Sequence, residues 1–317
     1  DFADALRAHD GAWAASLLAN WTVLFGRLGG DASAQVREAA CAALRQLVCS
    51  AGRKALAPHL KQLITPWLCL RMDEHAEVRR AAIAAFDESF TSPAKYVDAL
   101  VFCRDEIASG LADRALAHAE KEGEESHARR ASSALRCAAH LILTSSRQAR
   151  PSANSADNLA DDPSGRQAVH VEKISRALRD HLFSDEMWNL GEISAPPVRA
   201  ATYALALVLL QARRDDAEMC GGGPPRPIAH AHLGGFRPCI SQHLPDVASA
   251  ERRPIAAALL SGVGSTDTMC QLAVWEPLLL LIKAHPDVIA ERRANMVSTA
   301  PSRALNHEVA NSEWRGN

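Results

Sequence analysis

A short motif of valine, arginine and alanine recurs along the chain and limits the folds that the chain can adopt. It reads VREAA from Val36, VRRAA from Val78 and VRAAT from Val198. Each copy continues with mostly apolar residues at offsets of 3, 4, 7 and 8, and the first and third copies extend to offsets of 11 and 12. These offsets lie on one face of an α-helix. Each copy therefore predicts an amphipathic helix whose apolar stripe is covered by another element.

The spacing of the copies predicts a repeat protein. Val36 and Val78 are 42 residues apart, and Val198 follows 120 residues after Val78, close to three further periods of about 40. Periods of roughly 40 to 47 residues are typical of HEAT and armadillo repeats. We therefore predict an all-α fold, an α-solenoid of stacked antiparallel helix pairs of the HEAT or armadillo type.

Composition agrees with a helical fold. Hydrophobic residues make up 48% of the 317, which excludes a wholly disordered chain, whereas aromatic residues make up only 5%. The net charge of -2, from 35 basic and 37 acidic residues, gives no global attraction to nucleic acid or to a membrane surface. The longest apolar runs, such as Leu278 to Ile282, are far shorter than a membrane span. We predict no membrane partner.

Acidic residues before the repeated motif predict a polar ladder. Asp31 and Asp73 each lie five residues before the valine of their copy. In HEAT repeats an aspartate in the turn between two helices contacts an arginine early in the second helix. The expected pairs are Asp31 with Arg37, and Asp73 with Arg79.

The repeat pattern is interrupted twice. A stretch rich in Ser, Asp, Asn and Pro at 145–166 predicts a flexible insertion, and a stretch that includes GGGPPRP at 221–238 predicts an irregular loop. The chain begins at Asp1 rather than methionine, which suggests a piece of a longer protein or an incomplete gene model. The expected helix pairs occupy 1–144, 167–220 and 239–290, and the tail at 291–317 is unassigned.

No recognised catalytic or metal-binding motif is present. The sequence has no phosphate-binding loop, dinucleotide fingerprint, nucleophile elbow or H-E-x-x-H helix. None of the eight cysteines forms a C-x-x-C pair, and most occupy apolar helical positions, which favours buried, reduced thiols. His230 and His232 lie near Cys220 and Cys239, but this spacing matches no zinc motif. We therefore predict no catalytic residue, metal or cofactor in this chain.

Tryptophans and paired arginines are the other residues that could form a binding site. Trp67, Trp188 and Trp275 each lie in an apolar helical context, so burial between helices is expected. Arg129 and Arg130 form a basic pair that is typical of plain helix surface.

Residues 58–107 resemble the N-terminal region of the listerin family. The members of this family are RING-type E3 ubiquitin ligases of ribosome-associated quality control. The most specific parts are an A-x-x-A-F-x-x-x-F element from Ala82 to Phe90 and an A-L-x-F-C-x-D-E-I element from Ala99 to Ile107. With weaker similarity elsewhere, the resemblance spans about residues 2–290 with gaps and identifies 1–144 as the listerin-like N-terminal region.

The resemblance implies a role in targeting. Listerin is a long HEAT/armadillo solenoid in the cytosol, and its N-terminal part docks on the 60S ribosomal subunit and on the nuclear export mediator factor. Its C-terminal RING domain holds zinc and recruits E2 and ubiquitin. This chain has no C-x-x-C pairs for a RING, so it is expected to supply targeting and not catalysis.

The repeat motif alone leaves other functions open. A HEAT-repeat adaptor of another family, such as a transport receptor, a phosphatase scaffold or a tubulin-binding module, carries the same motif. An enzyme with a site that is not visible in sequence is a third alternative. For a listerin-like protein, the candidate partner surface consists of polar residues that we expect to be exposed on the first two repeats: Arg71, Glu74, His75 and Lys95.

Overall fold

Helices make up most of the described part of this protein. The computed structural model describes residues 11–117, 124–148, 173–219 and 249–290, and these ranges contain helices and connecting turns but no strand. The numbered helices are α1 Gly11–Leu28, α2 Ala34–Ala51, α3 Leu60–Leu70, α4 Ala76–Ser89, α5 Pro93–Phe102, α6 Arg104–Leu116, α7 Glu124–Gln148, α8 173–181, α9 Asp185–Ile193, α10 Pro196–Met219, α11 Ser249–Val263 and α12 Thr268–Ala284. Short helical segments also occur at Arg53–Leu56 and at 286–290.

The helices pack as pairs, and the pairs stack on one another. Helix α1 packs on α2, α3 on α4, α6 on α7, α9 on α10 and α11 on α12. Equivalent helices of neighbouring pairs are also in contact, since α2 packs on α4, α9 on α11, and α10 on both α7 and α12. This arrangement confirms the predicted all-α solenoid.

The apolar stripes of the repeated motif face this core in all three copies, and in α2 the buried members include Ala40, Leu44, Leu47 and Val48. In α4 the stripe from Val78 to Phe86 is buried except for Ala81, which is half-buried, and in α10 the stripe from Val198 to Leu210 is buried. In α2 the stripe is rotated, because Arg37 is buried whereas Ala39 is exposed. The rotation follows from the ion pair of Arg37 described below, which draws an arginine into a position that periodicity assigns to solvent.

Local sequence signals explain several helix ends. Ser92, Ser184 and Asp267 each precede a helix, and their side chains accept hydrogen bonds from backbone N–H groups of the first turn. A 3-10 turn at Ala57–His59, which contains Pro58, precedes α3. Pro66 is buried within α3.

Several predicted segments fall outside the described residues. Of the insertion predicted at 145–166, only the first four residues are described, and they belong to α7. The loop at 221–238 and the tail at 291–317 are outside. So are the four residues weighed as a metal site: Cys220, His230, His232 and Cys239.

Candidate functional site

A buried ion pair joins the first two helix pairs. Arg37 lies on α2, and Asp73 lies in the turn between α3 and α4. The Arg37 Nε donates to Asp73 Oδ2 at 2.8 Å, and Nη2 donates to Oδ1 at 3.0 Å. The side chains are only 1% and 5% exposed. This two-point contact fixes the orientation of α2 relative to the next turn.

Both expected ladder pairs are in contact, but through the main-chain carbonyl of each aspartate and not through its carboxylate. Arg37 Nη1 donates to the backbone carbonyls of Asp31 and Ala32 at 2.8 and 2.9 Å. Arg79 Nη1 binds the carbonyls of Asp73 and Glu74 in the same way, at 2.7 and 2.8 Å. Within a repeat, therefore, the arginine contacts main-chain oxygens of the preceding turn. The carboxylate contact runs between repeats.

Asp73 is held in its ionised form. Burial alone raises the pKa of its carboxyl, but hydrogen bonds from Arg37 and from the His75 backbone N–H, together with the charge of Arg37, lower that pKa below its ordinary value. The His75 Nδ1 lies 3.1 Å from Arg37 Nη2. In the tautomer that carries the ring proton on Nε2, this nitrogen accepts a hydrogen bond from the guanidinium. The cluster is thus a satisfied structural network.

One member of the candidate partner surface is not exposed. Arg71 lies over the ring of Phe86, with 4.6 Å from its guanidinium carbon to the ring centroid, and 5.6 Å from that of Tyr96. Its Nη1 also donates to the Tyr96 hydroxyl at 3.4 Å. These contacts leave Arg71 half-buried, so the expectation that it is freely exposed is wrong.

The other three members are exposed. Glu74 and His75 lie in the turn before α4, beside the buried ion pair. Lys95 lies on α5, where its Nζ donates to the Thr91 hydroxyl at 3.4 Å. An acidic, an imidazole and a basic side chain can make hydrogen bonds and ionic contacts with a partner, but they do not form a catalytic arrangement.

Arg129 contributes a contact that sequence reasoning missed. This residue of α7 is half-buried, and its Nη2 donates to the carbonyls of Gly30 and Asp31 at 3.2 and 3.1 Å. The helix pair of α7 is thereby tied to the first turn of the stack. Backbone carbonyl acceptors about 100 residues away leave no signal in the sequence, so a basic pair on a helix gave no indication of this role.

The tryptophans divide into two groups. Trp67 and Trp188 are buried, as expected, and the Trp67 Nε1 donates to the Ala82 carbonyl at 3.1 Å. Trp275 is 51% exposed, so the expectation of burial is wrong for this residue. It lies on the outer face of α12, which no other described helix covers.

Cysteine environments mostly follow the expectation of buried thiols. Cys41 is buried, and burial together with the charge of Asp73 raises the pKa of its thiol to about 12. Such a thiol stays protonated and unreactive at neutral pH. Cys49 departs from the expectation because it is exposed.

Two negative findings concern only the part of the chain that the structure describes. Within it, no three His, Cys, Asp or Glu side chains are grouped so that they could hold a metal ion. None of its helices combines the length and apolar character needed to cross a bilayer.

Comparison with known proteins identifies the family. Residues 1–220 match the family "E3 ubiquitin-protein ligase listerin, N-terminal domain". Listerin of Gallus gallus is 26% identical over 282 residues, that of Mus musculus 24% over 282, and that of Xenopus tropicalis 25% over 275. Each match covers 86% of this chain but only 13% of the relative. No solved structure matches significantly. Because the family match spans more than half of its residues, this chain belongs to the listerin family and corresponds to its N-terminal region.

Proposed function

We propose that this chain is the N-terminal targeting scaffold of a listerin-like E3 ubiquitin ligase and docks on the 60S ribosomal subunit in the cytosol. The observation that carries the proposal is the match of residues 1–220 to the listerin N-terminal domain. Docking places a ligase module elsewhere in the same protein close to a stalled nascent chain. Ubiquitination of the nascent chain for degradation is then favoured, because docking raises the effective concentration of the ligase module near it.

The stacked fold supports this role physically. Stacked helix pairs present an extended surface, and each pair is fixed by its neighbours. The two-point contact between Arg37 and Asp73 holds the first two pairs in one orientation. A rigid surface loses little conformational entropy on binding, which favours docking on another rigid particle.

The proposed contact lies at the turn before α4 and on α5. Glu74 and Lys95 are exposed and belong to neither the buried ion pair nor the core. His75 is exposed too, but its ring bonds to Arg37. The Arg71 guanidinium packs on the rings of Phe86 and Tyr96. Changes at His75 and Arg71 would therefore mix effects on binding and on folding, which leaves Glu74 and Lys95 as the informative positions.

The test is a charge exchange at these two positions. The double variant Glu74→Lys, Lys95→Glu keeps the net charge, and we expect it to weaken co-sedimentation with purified 60S subunits carrying peptidyl-tRNA by about tenfold, as loss of a few charged contacts does. The matched control is Lys54→Glu, Asp87→Lys, at exposed positions near the opposite end of α4 from Glu74.

The control is expected to bind like the wild-type chain. Equal binding by the Glu74 and Lys95 variant and by the wild type would contradict the proposed surface. Absence of wild-type binding to 60S subunits would contradict the proposed function itself. The nuclear export mediator factor-like partner is tested by adding that protein and asking whether wild-type binding increases.

A further inference from the structure

The sequence SPAK, which runs from Ser92 to Lys95 at the start of α5, has the form of a phosphorylation motif. Proline-directed kinases modify a serine or threonine that is followed by proline, and many of them favour a basic residue two positions after the proline. Proline has no backbone N–H, so it suits a kinase groove that offers no hydrogen-bond acceptor at that position. A serine or threonine precedes proline at one other place in the chain, Thr65.

Of these two positions, the fold exposes the one in the SPAK motif. Ser92 is half-buried, and its neighbours at 91 and 93–95 are exposed. Thr65 lies inside α3 with only 5% of its surface exposed, and its hydroxyl donates to the Glu106 carbonyl at 3.0 Å. A kinase can therefore reach Ser92 in the folded chain, whereas Thr65 is shielded by the helix packing.

The backbone at Ser92 suits a kinase groove, in which substrate peptides lie extended. Ser92 has φ -147° and ψ 150°, the extended form favoured before proline. Its Oγ accepts a hydrogen bond from the Lys95 N–H at 3.4 Å, which is a long contact. The Tyr96 ring anchors α5 by packing edge-to-face on Phe86. Residues 93–95 precede this anchor and are exposed, so they can open into a groove without disturbing the core.

A phosphate on Ser92 would lie beside Lys95. The Lys95 Nζ donates to the Thr91 hydroxyl at 3.4 Å, so the ammonium lies next to the turn that carries Ser92. Phosphoserine has three acceptor oxygens and a charge of about -1.5 to -2 at neutral pH. The ammonium and the backbone N–H groups of the first turn are suitable donors for these oxygens. The phosphate would thus engage a residue of the proposed docking surface.

We propose that Ser92 is the target of a proline-directed serine/threonine kinase, and that its phosphate engages Lys95 and weakens docking on the 60S subunit. The second part rests on the proposed function, and the first part does not. In the transfer, the Ser92 hydroxyl oxygen forms a bond to the γ-phosphorus of ATP, the bond from that phosphorus to the β–γ bridging oxygen breaks, and ADP leaves. The hydroxyl proton passes to the aspartate base of the kinase.

Electrostatics gives the direction of the effect on docking. The product carries about two more negative charges than the unmodified chain, and its phosphate pairs with the Lys95 ammonium. Ribosomal RNA presents a surface of negative phosphates, to which basic side chains are attracted. Both the added charge and the loss of a free ammonium therefore oppose binding.

Kinase treatment of the 317-residue chain tests the first part. The chain is incubated with a purified cyclin-dependent kinase and MgATP, and tandem mass spectrometry identifies the modified residues. We expect phosphate on Ser92 and none on Thr65. Ser92→Ala and Pro93→Ala should each lose this phosphate, whereas the matched control Thr91→Ala keeps the motif and should retain it. Absence of phosphate on Ser92 in the wild type, or its retention in Pro93→Ala, would overturn the assignment.

Two measurements on the phosphorylated chain test the second part. In a phosphorus NMR titration, the second pKa of the phosphate should be lower than in phosphorylated Lys95→Met, because the ammonium favours the dianion. In co-sedimentation with purified 60S subunits, the phosphorylated wild type should bind about tenfold more weakly than the untreated chain. Kinase-treated Ser92→Ala is the control and should bind like the untreated wild type.

The outcomes separate the phosphorylation from the proposed function. Equal binding of phosphorylated and untreated chains would overturn the regulation and leave the proposed function standing. Absence of binding by the untreated chain would overturn the proposed function and the regulation together, while the assignment of Ser92 is still decided by mass spectrometry. Equal phosphate pKa values in the wild type and in Lys95→Met would overturn the pairing with Lys95.

Discussion

At the scale of single residues, Arg37 shows how a charge can be buried in a repeat protein. Its five N–H donors meet the two Asp73 oxygens, the carbonyls of Asp31 and Ala32, and the His75 ring nitrogen. Burying an unpaired guanidinium costs several kcal/mol, whereas a fully satisfied one is tolerated. The contact therefore matters more for fixing the register between repeats than for net stability.

Removing the carboxylate should be strongly destabilising. Asp73→Ala leaves the Arg37 charge buried without its counter-ion, and we expect the free energy of unfolding in urea to fall by about 3 kcal/mol. Adding Arg37→Met to that variant should recover part of the loss, because no unpaired charge remains. Arg80→Ala breaks the exposed Arg80–Glu77 pair and serves as the control, with no measurable change expected. A loss at Asp73 no larger than that of the control would contradict the role assigned to the pair.

The same pair predicts a pH dependence. The pKa of Asp73 is lower in the folded protein than its unfolded value of about 3.9, so its stabilisation is present above that pH and is lost as the pH falls through the folded pKa. The gap in urea midpoint between wild type and Asp73→Asn should therefore be wide at pH 7 and narrow progressively below about pH 4. A gap that stays constant down to pH 2 would show that the carboxylate is not the group responsible.

At the scale of helices, periodicity predicts which face of a helix is buried when that burial depends only on residues close together in the sequence. The buried stripes of α4 and α10 follow from the spacing of alanine, leucine and phenylalanine alone. The rotation of α2 could not be predicted, because it depends on a carboxylate 36 residues away. The exposure of Trp275 and the contacts of Arg129 both depend on how the helices pack in three dimensions, and neither is encoded locally.

Close approach of α3 and α6 gives a prediction at this scale. A Cβ added at Gly110 would lie 2.9 Å from the Thr65 Cγ2, whereas one added at Gly26 in α1 would meet nothing within 4 Å. Alanine favours a helix over glycine by about 1 kcal/mol, so Gly26→Ala should stabilise the protein by about 0.5–1 kcal/mol. Gly110→Ala should instead destabilise it by about 1–2 kcal/mol, because the helices must move apart. Thermal unfolding of both variants measures this, and stabilisation by both would contradict the packing of α3 on α6.

At the scale of the whole molecule, stacking converts local contacts into an extended surface. Most helix packing joins neighbouring pairs, so the fold could be predicted from one motif and its period. The sequence pattern did not predict which polar residues are available to a partner, since the Arg71 guanidinium packs on aromatic rings whereas Lys95 is exposed. Family membership identifies this chain as the N-terminal region of a listerin, and the surface that contacts a partner must be found by experiment.

We propose that this helical stack is sufficient for docking on the large ribosomal subunit. Sucrose-gradient binding of the wild-type 317-residue chain to isolated 60S and 40S subunits, at physiological salt, tests it most directly. We predict saturable comigration with 60S subunits, strongest when they carry peptidyl-tRNA, and none with 40S subunits. A chain that stays at the top of the gradient, or that binds both subunits equally, would contradict the account.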